Sequence, residues 1–206
     1  MLMRALLLIG LSLLVACNNS AGPVSGSRNF VGPSSVPRTS TDASPTAAVA
    51  QTVPREDVIV NAIDACDPAS FNAAIGAGTC VRAGGLKFDD FIAQLTKLGF
   101  VGPWHFAPNT VNARTGQEFL VINHGGEVHT FTEVEAFGGG IVASLNELAH
   151  VPNVAPECLA LEADDFVAPG QTYREDIEEE GVEKYQCCIH PWMRLEARIS
   201  EGHYQH

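Results

Sequence analysis

The sequence predicts a mainly β protein, an antiparallel Greek-key β-sandwich with a helical extension on its N-terminal side. From residue 104 onward, apolar and polar residues alternate with a period of two in short runs. Dipeptides containing glycine or proline separate these runs, and short strands at this spacing are typical of a sandwich. Residues 101–206 are therefore the predicted β domain, with strands at 104–107, 111–113, 118–123, 128–135, 166–168, 173–177, 182–188 and 195–200.

Residues 55–100 are predicted to be mostly helical and to pack on the sandwich. Asp67 is suited to be a helix N-cap, and Pro68 follows it at the first helical position. A second helix shows apolar residues at i, i+3, i+4, i+7 and i+10, and Gly99 marks its end. Its apolar stripe needs a partner surface, most simply a face of the sheet, and consists of Phe88, Phe91, Ile92, Leu95 and Leu98.

An irregular insertion occupies residues 138–165 within the β domain. It contains a run of glycines, a predicted short helix at 142–149 and a proline-containing return. Because it is longer than an ordinary connection between strands, we expect it to cover part of the domain, with its role left open.

The first 54 residues are predicted to lie outside the folded part. Residues 1–16 combine a basic start with an apolar run too short to span a bilayer, and small residues precede Cys17. This arrangement resembles the lipobox of bacterial lipoproteins, which implies cleavage before Cys17 and its lipidation; a plain secretory signal peptide is the alternative. Residues 17–54 are poor in large apolar residues, so they are predicted to be a disordered linker. The expected location is the cell envelope, lipid-anchored in the periplasm or at the outer membrane or cell surface.

Three metal-donor side chains follow one another near the C-terminus. Cys187, His190 and Met193 have the spacing Cys-x2-His-x2-Met. A thiolate, an imidazole and a weak axial thioether are the donors of a mononuclear blue-copper centre, which also needs a second imidazole. His129 begins an alternating run after a Gly-Gly turn, where a ligand at a strand end would lie. The sequence therefore predicts one copper site, and zinc is disfavoured because a thioether is a poor zinc ligand.

The chain contains six cysteines. If Cys17 carries lipid and Cys187 binds metal, four cysteines remain, which suits two disulfides with three possible connectivities in an oxidising compartment. The preferred pairs are Cys66–Cys80, which flanks the first helix and closes a loop worth about 3 kcal/mol, and Cys158–Cys188. In the alternative register, Cys188 is the ligand and Cys187 forms the disulfide; the Cys-x-His spacing would then bend the chain more tightly.

Residues 104–200 resemble the cupredoxins, small copper proteins of the plastocyanin, azurin and amicyanin type. The segment from Cys187 to Arg194 is similar to the short ligand loop of amicyanin, and Pro169-Gly170-Gln171 is similar to the penultimate hairpin of the family. The resemblance implies that His129 and His190 bind through imidazole nitrogen.

The same resemblance implies a role for each remaining site residue. Cys187 would supply a short equatorial thiolate and Met193 a long axial thioether. Asn123 and Thr130 would support the ligands. Electrons would pass through an exposed edge of His190, surrounded by an apolar rim that includes Pro191 and Trp192.

Two functions are consistent with this site. The first is a type 1 (blue) copper protein that acts as a membrane-tethered electron carrier cycling between Cu(I) and Cu(II). The alternative is a non-redox copper-binding protein for copper handling or sensing. The ligand set favours the first, because a handling protein gains nothing from a rigid trigonal site. An enzyme is not expected, since the chain lacks a haem-attachment motif and the His-x-His pairs of multicopper oxidases.

The net charge of −12 argues against nucleic acid as a partner. The expected partners are a redox protein, such as a basic cytochrome or a copper enzyme, and a membrane reached through the lipid anchor. Residues 174–180 are strongly acidic. They are interpreted either as a surface that steers a basic partner or as a solvated hairpin that keeps the protein soluble.

Overall fold

The computed structural model describes residues 56–202. The predicted signal peptide, the lipidation site Cys17 and the linker to residue 54 lie outside the described residues and stay predictions. Within the described range, no helix is both long enough and apolar enough to cross a membrane.

Residues 56–202 form ten strands, three α-helices and two 3₁₀ helices. The strands are β1 (Val58–Ile63), β2 (His105–Ala107), β3 (Thr110–Arg114), β4 (Glu118–Asn123), β5 (His129–Thr130), β6 (Thr132–Glu133), β7 (Phe166–Val167), β8 (Thr172–Asp176), β9 (Gly181–Gln186) and β10 (Arg194–Ser200). The helices are α1 (Pro68–Ala74), α2 (Phe88–Leu98) and α3 (Ala143–Leu148), with 3₁₀ helices at Pro156–Leu159 and Ala163–Asp165.

The strands form two four-stranded sheets, ordered β2-β1-β4-β8 and β3-β10-β9-β6, and a two-stranded sheet of β5 and β7. The prediction of a mainly β sandwich is confirmed. The sheets are mixed rather than purely antiparallel, because β1 runs parallel to β4 and β3 runs parallel to β10. Parallel neighbours cannot be joined by a tight turn, and here long connections that carry helices and further strands separate the two members of each pair.

The core lies between the two large sheets. Strand β4 points alternate residues inward, and its Phe119 meets Tyr185 of β9 with ring centroids 5.0 Å apart. Phe131, between β5 and β6, stacks on Tyr185 at 4.4 Å. Full burial of one large apolar side chain contributes about 1.5–3 kcal/mol, so these aromatic contacts help to hold the two sheets together.

Strand β1 differs from the sequence prediction, which read residues 55–100 as mostly helical. It is an inner strand of the first sheet, antiparallel to β2 and parallel to β4. Its Val-Ile-Val start is β-branched, and Val60 and Ala62 alternate into the core. The extension therefore contributes a strand to the sandwich in addition to its helices.

The helices of the extension begin and end where the sequence predicts. The Asp67 side chain accepts a hydrogen bond from the Ser70 amide at 2.9 Å and caps α1. Gly99 ends α2 in the left-handed conformation, at φ 75°. The apolar stripe of α2 packs on aromatic side chains, with Phe91 lying 4.8 Å from Trp104 and 5.9 Å from Trp192 between ring centroids.

The 138–165 insertion packs against the end of β9. The Ile141 amide donates to the Cys188 carbonyl at 2.7 Å. The Asn146 side chain both accepts from the Gly140 amide and donates to its carbonyl, at 2.7 Å each. The insertion thus covers the chain immediately after β9.

Candidate metal centre

Three predicted ligands come together at one end of the sandwich. His129 begins β5, Cys187 follows β9 directly, and His190 lies in the loop before β10. The Cys187 Sγ is 3.8 Å from the Nδ1 of His129 and 3.8 Å from the Nδ1 of His190. The three donor atoms lie within 4.8 Å of one another, and all three residues are buried.

The spacing of these donors fits one shared metal ion. Nitrogen and sulfur ligands lie about 2.0 and 2.3 Å from a first-row ion such as zinc, so donors 3.8 Å apart subtend about 120° at that ion. An angle near 120° is that of a trigonal plane with one thiolate and two imidazoles, which is a blue-copper donor set. The residues present therefore fit copper.

The sulfur of Cys187 is prepared to act as a thiolate. It accepts hydrogen bonds from the amides of Thr130 and His190, both at 3.4 Å. Burial by itself would raise the pKa of Cys187, but hydrogen bonds from His129 and His190 outweigh burial and bring it well below the ordinary thiol value. These contacts favour the thiolate form, which is the form of cysteine that binds metal.

Met193 closes the ligand loop. Its amide donates to the His190 carbonyl at 2.9 Å, and its carbonyl accepts from the Cys187 amide at 3.0 Å. The Met193 side chain is fully buried in the main core, and Pro191 is buried beside it. These contacts hold the loop in one compact turn, with the thioether inside the protein.

The two adjacent cysteines have different roles. Cys187 is a free, buried cysteine in the described part of the chain, whereas Cys188 is joined to Cys158 by a disulfide. Cys187 belongs to the main core and Cys188 to a separate small cluster, as expected from alternation after β9. The register in which Cys188 is the ligand is therefore wrong. A second disulfide joins the other expected pair, Cys66 and Cys80.

His129 has a buried carboxylate behind it. Its Nε2 lies 2.9 Å from Oδ2 of Asp64, and both side chains are 1% exposed. Burial would raise the pKa of Asp64, but hydrogen bonds from His129 and the amides of Gly126 and Glu127 lower it. The pKa of His129 is raised to about 9, because its hydrogen bonds to Asp64 and Cys187 outweigh the effect of burial.

His190 is not at an exposed edge, contrary to what the family resemblance implies. The residue is 3% exposed, and its Nε2 lies 3.6 Å from Oε2 of Glu127. Glu127 also accepts a hydrogen bond from Trp104 Nε1 at 2.7 Å, and burial raises its pKa. The ring of Trp192 meets that of His190 edge-on at 5.5 Å. Trp192 and Glu127 thus lie against His190, and Phe91 of α2 packs on both Trp192 and Trp104 behind them.

The two supporting residues proposed from sequence act on the backbone around the ligands. Asn123 donates to the carbonyls of Glu127 and Val167, at 2.8 and 2.7 Å, and so holds the start of β5 against β7. The Thr130 hydroxyl accepts from the Cys188 amide at 2.8 Å. Both contacts place His129 beside Cys187.

Sequence reasoning missed Asp64 and Glu127. Glu127 had a usable signal, because it lies two residues before His129 and an extended chain places such residues on one side. Asp64 had none, because it is 65 residues away from His129.

The acidic segment at residues 174–180 contains both ion-paired and solvent-exposed charges. Arg174 pairs with Glu118 at 2.5 Å and Asp57 at 3.4 Å, while residues 178–180 are exposed. Glu175 is partly buried, and its pKa is raised to about 7, first by burial and then by neighbouring carboxylates, with Glu133 and Glu183 among them. This hairpin is compatible with either interpretation given above.

Comparison with known proteins gives weak likenesses. No family model and no curated protein matches the chain. Among solved structures, a purple cupredoxin from Nitrosopumilus maritimus is 15% identical with a TM-score of 0.40, covering 70% of this chain and 100% of that one. An amicyanin mutant in the Cu(I) state is 16% identical with a TM-score of 0.33, covering 47% and 73%. Oxidised plastocyanin from Dryopteris crassirhizoma is 13% identical with a TM-score of 0.33, covering 47% and 89%. The chemistry available to this chain therefore rests on the geometry of its own site.

Proposed function

We propose that this chain is a mononuclear type 1 copper protein of the cupredoxin kind that carries single electrons. The observation behind the proposal is the convergence of two imidazole nitrogens on the sulfur of one free cysteine, each at 3.8 Å, in a buried cluster. His129, Cys187 and His190 would hold the ion, with Met193 as the fourth ligand. Copper would supply a one-electron couple between Cu(I) and Cu(II) at this place.

The protein's own contacts hold the donor side chains in place. Cys187 Sγ is fixed by two amides, His129 is fixed by Asp64, and the loop is closed by Met193 backbone hydrogen bonds. Donors on a rigid sheet and a short loop change little between two oxidation states. Little reorganisation favours fast electron transfer, which is the property that an electron carrier needs.

A path for electrons is available through Trp192. Its ring lies 5.5 Å from that of His190 between centroids, and the residue also lines a surface cavity of about 280 Å³ together with Phe100, Val151 and Arg194. Since His190 is enclosed, we place the contact with a redox partner at this cavity rather than at the imidazole. A basic cytochrome or a copper enzyme would suit the acidic surface of the protein.

A lipid anchor at Cys17 would tether this domain to a membrane of the cell envelope. This part of the proposal rests on the signal-like residues 1–16 and the following cysteine. The linker to residue 54 would let the copper domain reach partners near the surface.

The burial of His190 favours a second candidate function, copper handling without electron traffic. At 3% exposure, the imidazole is less accessible than an electron-exit ligand of the expected kind. A protein that stores or senses copper would exchange electrons slowly, whereas a carrier exchanges them rapidly. Electron self-exchange of the copper-loaded protein, measured by NMR line broadening in mixed oxidation states, separates the two.

The test of the site is a copper titration of the purified protein followed by visible absorption. Wild type should develop an intense thiolate-to-copper charge-transfer band at one equivalent. Cys187→Ser should abolish the band, because the hydroxyl does not provide a thiolate. The matched control is the pair Cys158→Ala and Cys188→Ala, which removes the neighbouring sulfur and should keep the band. A colourless Cu(II) complex of wild type would refute the proposal.

A further inference from the structure

Asp64 belongs to the N-terminal extension, in the turn between β1 and α1. No sequence pattern links that segment to the metal centre. The structure nevertheless brings its carboxylate to 2.9 Å from His129 Nε2, with both side chains 1% exposed. A buried charge in contact with a proposed ligand calls for a function at the site, because burying a carboxylate is costly unless its partners are specific.

Hydrogen bonds define one orientation of this carboxylate. Its Oδ1 accepts from the amides of Gly126 at 2.9 Å and Cys66 at 3.3 Å. Its Oδ2 accepts from the Glu127 amide at 3.0 Å and faces His129. Both oxygens are thus engaged by donors, and rotation of the group would break several of these bonds at once.

The Gly-Gly turn before β5 permits the close approach of the extension. A Cβ on Gly125 would lie 1.9 Å from Asp64 Oδ2, and a Cβ on Gly126 would lie 2.6 Å from Cys66 Sγ. The Cys66–Cys80 disulfide and a hydrogen bond from the Val81 amide to the Gly126 carbonyl, at 2.9 Å, hold the two segments together. Any side chain at residue 125 would displace the carboxylate from the imidazole.

We propose that Asp64 is a positioning residue for the copper site, one that fixes the tautomer and ring orientation of His129 and stabilises the oxidised state. This inference rests on the proposed function. A carboxylate can only accept, so His129 carries a proton on Nε2, and Nδ1 is the nitrogen left to bind a metal on the Cys187 side. A fixed negative charge beside one ligand also favours Cu(II) over Cu(I), since it interacts more strongly with the higher charge.

The two imidazoles differ in this respect. His190 Nε2 lies 3.6 Å from Glu127 Oε2, which is too long for a hydrogen bond. Glu127 instead bonds to Trp104 at 2.7 Å. The tight carboxylate contact is therefore specific to His129, and it comes from a part of the chain outside the 104–200 segment that resembles cupredoxins.

The experiment compares wild type with Asp64→Asn, which keeps the size of the side chain and removes its charge. Loss of a group that orients a metal-bound histidine lowers metal affinity about 10–100-fold. If that loss falls on Cu(II) alone, the reduction potential rises by about 60–120 mV, at about 59 mV per tenfold for one electron. Copper titration and protein-film voltammetry measure the two quantities.

A matched control distinguishes the orientation of His129 by Asp64 from a purely structural role in the N-terminal extension. Asp67→Ala removes the N-cap of α1, where Asp67 accepts from the Ser70 amide. It should lower thermal stability and leave the copper affinity and the potential unchanged. If Asp64→Asn lowers stability in the same way but keeps both copper parameters at wild-type values, the positioning role is overturned.

A readout on the wild-type protein does not depend on whether the variant folds. In the metal-free protein, the ¹H–¹⁵N imidazole spectrum should show an Nε2 proton on His129 that is protected from exchange with water. Absence of this protected proton would overturn the inference. Failure of wild type to form the charge-transfer band would instead refute the proposed copper function, so the two failures are distinguishable.

Discussion

Removal of the Cys158–Cys188 disulfide should lower the stability of the fold and leave the proposed copper site intact. The bond lies next to the proposed ligand Cys187 and joins the 138–165 insertion to the end of β9. The variant carries Cys158→Ala and Cys188→Ala together, so that no additional buried free thiol is left to compete for copper.

The magnitude follows from the length of the closed loop. The two cysteines are 30 residues apart, and the chain-entropy relation gives about 3.6 kcal/mol for a loop of that size. With a guanidinium m-value of roughly 4 kcal/mol/M, the unfolding midpoint should fall by about 1 M. The comparison variant Cys66→Ala with Cys80→Ala opens a loop of 14 residues and should lose about 3 kcal/mol.

The assay is equilibrium unfolding in guanidinium, followed by far-ultraviolet circular dichroism on metal-free protein, since bound metal would add its own stabilisation. The copper-loaded variant is then examined for its charge-transfer band, which should persist. An unchanged midpoint would contradict the loop-entropy reasoning. Loss of the band in a folded variant would contradict the assignment of Cys187 as the thiolate ligand.

Two further predictions concern pH and electron transfer. The pKa of Glu175 is about 7 in the folded protein against 4.5 for a free side chain, so the folded state keeps a proton that the unfolded state releases between these values. Stability should therefore fall as pH rises from 4.5 to 7, by about 1–2 kcal/mol once partial exposure is discounted. Glu175→Gln should flatten this dependence in chemical unfolding, and an unchanged slope would contradict the assignment. Trp192→Leu should keep the copper band and slow electron self-exchange, because the aromatic contact between His190 and the surface cavity is lost; an unchanged rate would place the exit elsewhere.

Local patterns in the sequence were sufficient to predict most elements. Asp67, Pro68 and Gly99 mark helix ends through backbone preferences that act within one turn, and the structure has the caps at those residues. Strand β4 has the predicted bounds, because its alternation reports directly which side faces the core. The prediction failed for β1, where a β-branched run was included in a helical segment.

Some features of the candidate site could likewise be predicted from local sequence, and others could not. Cys187 and His190 are three residues apart, so their proximity is a property of a single turn, and Met193 continues it. The choice between Cys187 and Cys188 needed the structure, because strand alternation alone allows either register. The enclosure of His190 also needed it, since Glu127 faces the ring, Trp104 donates to Glu127, and Phe91 of α2 packs on Trp104, all from separate parts of the chain.

The sequence by itself determined the residue types of the proposed ligands, their order in the loop from Cys187 to Met193, and the mainly β class. These follow from residue chemistry and from contacts over a few residues. Only the tertiary structure decided that β1 lies between β2 and β4 and that Asp64 contacts His129 across 65 residues. Such contacts depend on sheet register and on close packing of distant segments, which no local pattern encodes.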